Sequence, residues 1–236
     1  VLGFVATNPA GYGRMIAGAG NTLVEIIEER DASPQEQSIT LCNSGVMIAE
    51  AEVLPRLLKG ISNNNKAGEY YLSDIVKVAT ANGYTCLYET ANELEVLGVN
   101  NKVQLARLEH FAQQQIKKHL MEQGVTMLMP DTVWISSANV HIERDVVIYP
   151  NVVIGSNVKV GSGTVILPFS YITGARIGKN CSIGPCAHIR PDSEVADGAR
   201  IGNFVELKAS NIEKRAKISH LAYVGDAEIG ADANVG

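Results

Sequence analysis

Aliphatic residues recur every six positions through the second half of this chain, and this period constrains its fold more than any other feature. A period of six fits neither an α-helix, which repeats every 3.6 residues, nor an alternating strand, which repeats every two. It fits a parallel β-helix, in which short strands turn three corners per coil of 18 residues and glycine permits the turns. The series, in which three steps are of five residues, consists of Ile, Leu or Val at positions 142, 148, 154, 160, 166, 172, 177, 183, 189, 195, 201, 207, 212, 218, 224, 229 and 235.

The first part of the chain lacks this repeat and shows the pattern of a mixed α/β domain. Short apolar runs such as LGFVA (2–6) and GVMIA (45–49) alternate with helical stretches such as EYYLSDIVKVATANG (69–83). We therefore predict that an α/β domain precedes the β-helix.

A long helix is predicted between these two regions. Its apolar residues follow helical spacing, and Gly124 supplies a C-terminal stop. These residues are Leu105, Leu108, Ala112, Ile116 and Leu120. The predicted organisation is an α/β domain over 1–102, a connecting helix over 103–124 and a β-helix over 125–236.

Composition and charge exclude several classes of protein. The net charge of -5 over 236 residues argues against a general nucleic-acid binder. No apolar run approaches the roughly 18 residues of a membrane span, and the first residues lack the basic and apolar regions of a signal peptide. We therefore expect a cytoplasmic protein that does not bind nucleic acid and does not span a membrane.

Charged residues stack at one edge of the predicted β-helix. Arg190 and Lys208 are 18 residues apart, and each follows a hexad aliphatic residue by one position. Residues one coil apart lie at the strand spacing of about 4.8 Å. Two cations at that distance repel unless an anion lies between them, which favours a phosphate clamp. On spacing alone, a pair of solvated surface cations fits equally well.

Acidic and phenolic residues join this edge in the next coil. Glu206 and Tyr223 each precede a hexad aliphatic residue by one position, so these two side chains are predicted to stack. His220 lies close by in the sequence. An imidazole titrates near neutrality, and we therefore predict that His220 is a general base in this cluster rather than a structural histidine.

The chain resembles the bacterial family that combines N-acetylglucosamine-1-phosphate uridylyltransferase and glucosamine-1-phosphate N-acetyltransferase activities. The matching strings span the chain in family order and include GYGRM (11–15), VEIIEERDAS (24–33), VLGVNNKVQLARLE (96–109), GNFVELK (202–208) and SHLAYVGDAEIG (219–230). The resemblance implies part of an α/β, Rossmann-like nucleotidyltransferase domain, then a connecting helix and a left-handed parallel β-helix of hexapeptide repeats. It also implies a homotrimer that acts on sugar phosphates, with acetyl-CoA and UTP as co-substrates, and that makes UDP-N-acetylglucosamine for cell-wall synthesis.

The same resemblance implies roles for particular residues of this sequence. Arg190 and Lys208 match contacts to the sugar phosphate. His220 matches the base that deprotonates the glucosamine amine for attack on the acetyl-CoA thioester, and Glu206 is expected to orient or charge-balance this group. Further substrate contacts are implied at Gly13, Glu28, Asn43, Asn100, Tyr223 and Asn234, with Asn100 also a ligand of Mg²⁺.

The sequence departs from this family's pattern at both ends. The Gly-rich loop that grips the nucleotide phosphates and the Asp that shares the metal with Asn100 are absent, and the coils that bind acetyl-CoA are expected beyond Gly236. We therefore expect a piece that lacks both ends of the family's chain.

Two other functions compete with this prediction. One is a different sugar-phosphate nucleotidyltransferase whose β-helix is regulatory, but such a β-helix does not need His220 beside Tyr223. The other is a purely structural β-helix, whose edge should carry repeated small polar residues rather than Arg, Lys, Glu, His and Tyr.

Overall fold

The computed structural model describes residues 1–99 and 101–236, which form two compact units, Val1–Leu108 (unit 1) and Glu109–Gly236 (unit 2). The boundary between the units falls inside a helix, α4 (Lys102–Glu122). The predicted connecting helix is thus confirmed, whereas the domain limits at 102 and 124 stay a prediction. Asn100 lies outside the described residues.

Unit 1 is built on a mixed sheet, sheet I, in the strand order β5-β3-β2-β4-β1-β6. β1 pairs parallel with β6, and the other pairs are antiparallel. Its apolar core includes Met15, Leu23 and Ile26 of the sheet and Ile75 and Val76 of the third helix. The strands are β1 (Leu2–Val5), β2 (Arg14–Ala17), β3 (Thr22–Ile27), β4 (Leu41–Asn43), β5 (Cys86–Leu87) and β6 (Glu89–Ala91). The helices before α4 are α1 (Pro34–Gln37), α2 (Leu54–Leu58) and α3 (Ile75–Ala81), with short 3₁₀ turns at Leu72–Asp74 and Glu93–Glu95. The predicted mixture of strands and helices is confirmed, and its Rossmann-like character stays a prediction.

One local prediction in unit 1 is wrong, and another is confirmed. The run GVMIA (45–49) is not a strand, because β4 ends at Asn43, whose side chain accepts a hydrogen bond from the Gly45 N–H (3.1 Å) and starts a turn. Ile48 is 94% exposed as a result. The stretch from 69 to 83 is helical as predicted, over the 3₁₀ turn Leu72–Asp74 and α3 (Ile75–Ala81), and Gly83 follows the helix with a left-handed φ of 83°.

The helix α4 ends where the sequence predicted, but it buries different side chains. Gly124 has a φ of 97° and follows the last turn. Leu105 is exposed, whereas Gln113 and Lys117 are buried with Leu120. Gln113 both donates to the Ile135 carbonyl (2.8 Å) and accepts from its N–H (3.0 Å). These polar side chains are buried because the start of the β-helix has unpaired backbone groups, which an apolar helix face would leave unsatisfied.

Unit 2 is a parallel β-helix with three sheets, each strand pairing with the strand one coil later. Sheet II contains β7 (Thr126–Met127), β10 (Val147–Ile148), β13 (Val165–Ile166), β16 (Ser182–Ile183), β19 (Arg200–Asn203), β22 (Lys217–His220) and β25 (Asn234–Val235). Sheet III contains β8 (Trp134–Ile135), β11 (Val153–Ile154), β14 (Tyr171–Ile172), β17 (His188–Ile189), β20 (Glu206–Lys208) and β23 (Tyr223–Gly225). Sheet IV contains β9 (Val140–Ile142), β12 (Val158–Val160), β15 (Arg176–Ile177), β18 (Glu194–Val195), β21 (Asn211–Ile212) and β24 (Glu228–Ile229).

Every hexad aliphatic residue lies in one of these strands, so the predicted β-helix of hexapeptide repeats is confirmed. Ile148, Ile166 and Ile183, for example, are in register on sheet II and are fully buried. The structure adds an earlier coil, in which Met127 and Ile135 pair with Ile148 and Ile154. The hexad search missed this coil because its positions are eight and seven residues apart.

Residues at the corners of the coils adopt left-handed backbone conformations. At the corner between sheets II and III these residues include Phe169, Cys186, Phe204 and Leu221, with φ between 50° and 62°. Bulky apolar residues are uncommon in this conformation. Their side chains form a mostly exposed apolar column, called here the II–III corner column. Among the residues that the structure describes, no helix is long and apolar enough to cross a bilayer.

Candidate functional site

The outer face of sheet III carries a ladder of polar and aromatic side chains. Tyr171, His188, Glu206 and Tyr223 each precede an inward aliphatic residue by one position and are in register on successive coils. The predicted stacking of Glu206 and Tyr223 is confirmed. We call these four residues the sheet III ladder.

Arg190 and Lys208 lie in adjacent register at the end of the same sheet, as their spacing predicts. The residues before them, Ile189 and Leu207, are paired, and the Arg190 N–H donates to the Leu207 carbonyl (2.9 Å). The stacking of the two cationic residues therefore follows from the backbone pairing of β17 with β20.

Each of these cations has a carboxylate partner within the chain. Arg190 Nη1 donates to Glu206 Oε1 at 2.8 Å, and Lys208 Nζ lies 3.1 Å from Asp226 Oδ2. The prediction of a phosphate clamp assumed that an external anion must separate the cations. The two carboxylates already reduce the repulsion, so stacking alone does not demand a ligand, and the roles of Arg190 and Lys208 stay predictions. Asp226 was missed because it lies at the corner after β23, outside the positions that the hexad spacing singled out.

His220 lies on a different sheet from the ladder. It is the last residue of β22 on sheet II, in register with Asn203, and three positions before Tyr223. Its side chain is exposed, and in 1–99 and 101–236 no hydrogen bond or ion pair holds it. The imidazole therefore lies at the corner that leads into the ladder, and its predicted role as a base stays a prediction.

Asn234 is not brought into the ladder. It begins β25 on sheet II, where it is in register with Lys217. It thus shares a sheet with His220 but lies one coil later, and its predicted substrate contact is not tested by these positions.

His188 and Tyr171 were missed by the sequence reasoning. The two rings stack with centroids 5.2 Å apart, and His188 Nδ1 lies 4.0 Å from Glu206 Oε1. The signal was present, because both residues occupy the position before a hexad aliphatic residue, as Glu206 and Tyr223 do.

The ladder lies on an open face. A groove of about 910 Å³ runs along sheet IV and the corner between sheets III and IV, and its lining includes Asp192 and Asp226. None of the predicted sugar-phosphate or catalytic residues of unit 2 lines this groove. The sheet III ladder therefore lies outside this groove.

In unit 1 the structure brings together three of the four predicted residues. The Asn43 N–H donates to the Gly13 carbonyl (2.8 Å), and a Cβ at Gly13 would lie 3.3 Å from Glu28 Oε1. Glu28 Oε1 accepts a hydrogen bond from the buried Ser73 hydroxyl (2.6 Å). Gly13 thus leaves space beside the Glu28 carboxylate, which fits the predicted need for a small residue there. The fourth residue, Asn100, is outside the described part of the chain.

A nearby carboxyl group is also perturbed. Burial raises the pKa of Asp74, and the charges of Glu28 and Asp31 add to this effect while Lys77 opposes it. Across the described ranges, no group of three or more His, Cys, Asp or Glu side chains is arranged to hold a metal ion. The predicted Mg²⁺ ligand, Asn100, lies outside the described residues, so the binding of this ion stays a prediction.

Comparison with known proteins places this geometry in context. A family model described as "Bacterial transferase hexapeptide (six repeats)" matches residues 139–174 and 174–209. The bifunctional protein GlmU of Zymomonas mobilis subsp. mobilis is 46% identical over 236 residues, which are 100% of this chain and 52% of that protein. That of Jannaschia sp. (strain CCS1) is 44% identical over the same shares of both chains. The chain spans about half the length of the curated relatives it matches.

Among solved structures, PerB from Caulobacter crescentus in complex with CoA and GDP-perosamine is 18% identical, with a TM-score of 0.36. The alignment covers 67% of this chain and 83% of the PerB chain. A likeness at this level carries no argument about function.

Proposed function

We propose that this chain, which is 46% identical over its whole length to about half the length of a bifunctional GlmU protein, contributes to two transfer reactions. The first moves an acetyl group from acetyl-CoA to glucosamine 1-phosphate. The second moves a uridylyl group from UTP to N-acetylglucosamine 1-phosphate, with Mg²⁺ held in part by Asn100. The product, UDP-N-acetylglucosamine, would supply peptidoglycan and lipopolysaccharide synthesis in the cytoplasm, where both co-substrates are made.

One observation supports acetyl transfer above the others: Arg190, Lys208 and Tyr223 lie on one sheet, and His220 lies at the corner next to it. Arg190 and Lys208 would bind the phosphate by charge-assisted hydrogen bonds, for which they exchange part of their contact with Glu206 and Asp226. Tyr223 and Asn234 would bind the sugar.

The proposed chemistry needs a single base. The His220 imidazole takes a proton from the glucosamine amine as its nitrogen attacks the thioester carbonyl carbon. A C–N bond forms, the C–S bond breaks, and the thiolate of coenzyme A leaves and takes up a proton. An exposed imidazole that has no hydrogen-bond or ion-pair partner in the described residues can approach the amine directly.

The open ladder also supports a homotrimer, in which a second copy covers the site. Phe169, Phe204 and Leu221 of the II–III corner column are 63%, 59% and 76% exposed. Phe204 and Leu221 lie one coil apart, Phe169 lies two coils before Phe204, and Leu221 follows His220 directly. An apolar strip beside a polar site is typical of a protein interface. The neighbouring copy would bury this strip and close the ladder.

The proposal is tested with the full-length protein from the same open reading frame. We expect release of free coenzyme A thiol when acetyl-CoA and glucosamine 1-phosphate are both present, and much slower release with glucosamine. Equal rates with and without the phosphate group, or no release with either sugar, would overturn the proposed acetyl transfer.

A further inference from the structure

We propose that His188 is a positioning residue for the sugar phosphate, which acts through Glu206 on Arg190. The inference deepens the proposed function and rests on it. Its ligand class is therefore the same, a phosphorylated amino sugar, and what is new is the group that fixes the phosphate-binding arginine.

One carboxylate oxygen of Glu206 lies near both Arg190 and His188. Glu206 Oε1 lies 2.8 Å from Arg190 Nη1 and 4.0 Å from His188 Nδ1. The strand register places His188 directly beside Glu206, whereas Arg190 reaches Glu206 from the end of the same strand as His188. The carboxylate therefore faces one side chain of β17, His188, and the side chain that directly follows this strand, Arg190.

The His188 ring is itself held. Tyr171 stacks on it from the preceding coil, with centroids 5.2 Å apart and planes at 38°. Tyr171 thus contacts the ring from one side and Glu206 faces it from the other. An imidazole held in this way restricts the rotamers of a glutamate that is otherwise half-exposed, which lowers the entropy cost of its bond to Arg190.

The Arg190 guanidinium uses only part of its hydrogen-bonding capacity within the described residues. In the described part of the chain, Nη1 is the Arg190 nitrogen that makes a hydrogen bond, and Nε and Nη2 make none. A guanidinium has five N–H donors in a rigid fork. Because the guanidinium is rigid, the hydrogen bond from Nη1 to Glu206 also fixes the directions of the remaining N–H donors. A phosphate beside Lys208 would accept hydrogen bonds from these donors.

Lys208 lacks a comparable support. Its ammonium lies 3.1 Å from Asp226 Oδ2, and no other hydrogen bond or ion pair to this carboxylate is seen in the described residues. Tyr171, His188 and Glu206 therefore orient Arg190 toward the phosphate. Lys208 contributes only electrostatic attraction to the phosphate. Loss of His188 should weaken binding of the phosphate without changing the chemical step at His220.

Two substitutions of His188 separate its ring from its nitrogen. His188→Phe keeps a ring against Tyr171 but removes the nitrogen that faces Glu206, and His188→Asn keeps an N–H near the position of Nδ1. His141→Phe is the matched control, because His141 also precedes a hexad aliphatic residue but lies on sheet IV, next to Lys159.

The measurements are KM and kcat of acetyl transfer in the full-length enzyme and calorimetric binding of glucosamine 1-phosphate. His188→Phe should raise KM and the dissociation constant roughly 3- to 10-fold, the range for one lost polar partner, with kcat within about twofold. His188→Asn should recover part of the loss, and His141→Phe should match the unsubstituted enzyme.

Arg190→Ala, measured alongside, distinguishes a failure of the positioning role of His188 from a failure of the proposed phosphate site. If Arg190→Ala weakens binding but His188→Phe does not, the positioning role of His188 is wrong and the proposed function stands. If His188→Phe lowers kcat and the melting temperature together while KM is unchanged, the residue is merely structural. If Arg190→Ala leaves binding unchanged, the proposed phosphate site fails and this inference fails with it.

Discussion

The guanidinium of Arg190 donates a hydrogen bond to Glu206, 2.8 Å away, on the outer face of the β-helix. Lys208 has a separate carboxylate partner, Asp226. The two cations are therefore organised before any ligand arrives, and a phosphate that binds them meets side chains with defined positions. Such preorganisation reduces the conformational entropy lost on binding.

Replacement of Arg190 or Lys208 by Ala should weaken binding of glucosamine 1-phosphate about 10- to 150-fold, because each removes a charge-assisted hydrogen bond worth about 1.5–3 kcal/mol. Titration calorimetry measures the dissociation constant directly. The matched control is Arg176→Ala on sheet IV, where Arg176 is similarly paired with Glu194 (3.8 Å). An equal loss of affinity in all three variants would point to overall charge rather than to a defined site.

The close stacking of the coils predicts that alanine is tolerated at one glycine, Gly230, but not at another, Gly202. A Cβ at Gly202 would collide with the Ser219 carbonyl oxygen of the next coil, whereas a Cβ at Gly230 meets nothing within 4 Å. Overpacking of this kind costs about 1–3 kcal/mol or more. Gly202→Ala should therefore lower the melting temperature by several degrees, and Gly230→Ala should leave it nearly unchanged. Similar melting temperatures for the two variants would contradict the described coil spacing.

Much of the β-helix could be predicted from the sequence, because an interior that is one side chain wide forces aliphatic residues to recur at every strand. The same rule placed Glu206 beside Tyr223. The hexad rule did not predict that Asp226 pairs with Lys208. Asp226 lies at a corner, and there the direction of the chain decides which side chains are in contact.

The buried face of α4 could not be predicted for a different reason. Helical spacing identifies apolar stripes, but Gln113 and Lys117 are buried because they satisfy backbone groups of the first coil. That demand comes from tertiary structure. GVMIA (45–49) was misassigned in the opposite sense, since an apolar run does not form a strand where a side-chain cap at Asn43 begins a turn.

Assembly of the protein should depend on the II–III corner column. Leu221→Glu and Phe204→Glu place charges on the proposed interface, and we expect the solution mass measured by light scattering to fall from that of a trimer toward that of a monomer. Ile48→Glu is the control, because Ile48 is also an exposed apolar residue but lies in unit 1. A trimer that survives both substitutions would show that this column is not the contact, and a monomeric unsubstituted protein would reject the trimer.

One acidic group should show a pH dependence caused by a bidentate ion pair. Arg215 Nε and Nη2 donate to the two Asp232 oxygens at 2.7 and 2.6 Å, and these hydrogen bonds lower the pKa of Asp232. Because the folded pKa is below the unfolded value of about 3.9, the pair stabilises the fold above that pH. Its contribution is lost as the pH falls through the lowered pKa.

Carboxyl-carbon NMR measures this titration. The midpoint for Asp232 should lie below about 3.9 and should rise in Arg215→Gln, which keeps a polar side chain but removes the charge. A midpoint that does not change in Arg215→Gln would mean that the pair does not form in solution.

The central claim is that His220 is the base of acetyl transfer, and its replacement by Ala in the full-length enzyme tests this most directly. The acetyl-transfer rate should fall about 10²- to 10⁴-fold at neutral pH, the range for a positioned general base. Uridylyl transfer and the trimer mass should be unchanged, and a higher pH should restore part of the rate because more of the substrate amine is then deprotonated. An acetyl-transfer rate equal to that of the unsubstituted enzyme at neutral pH would contradict the account and leave His220 as a surface residue of the coil.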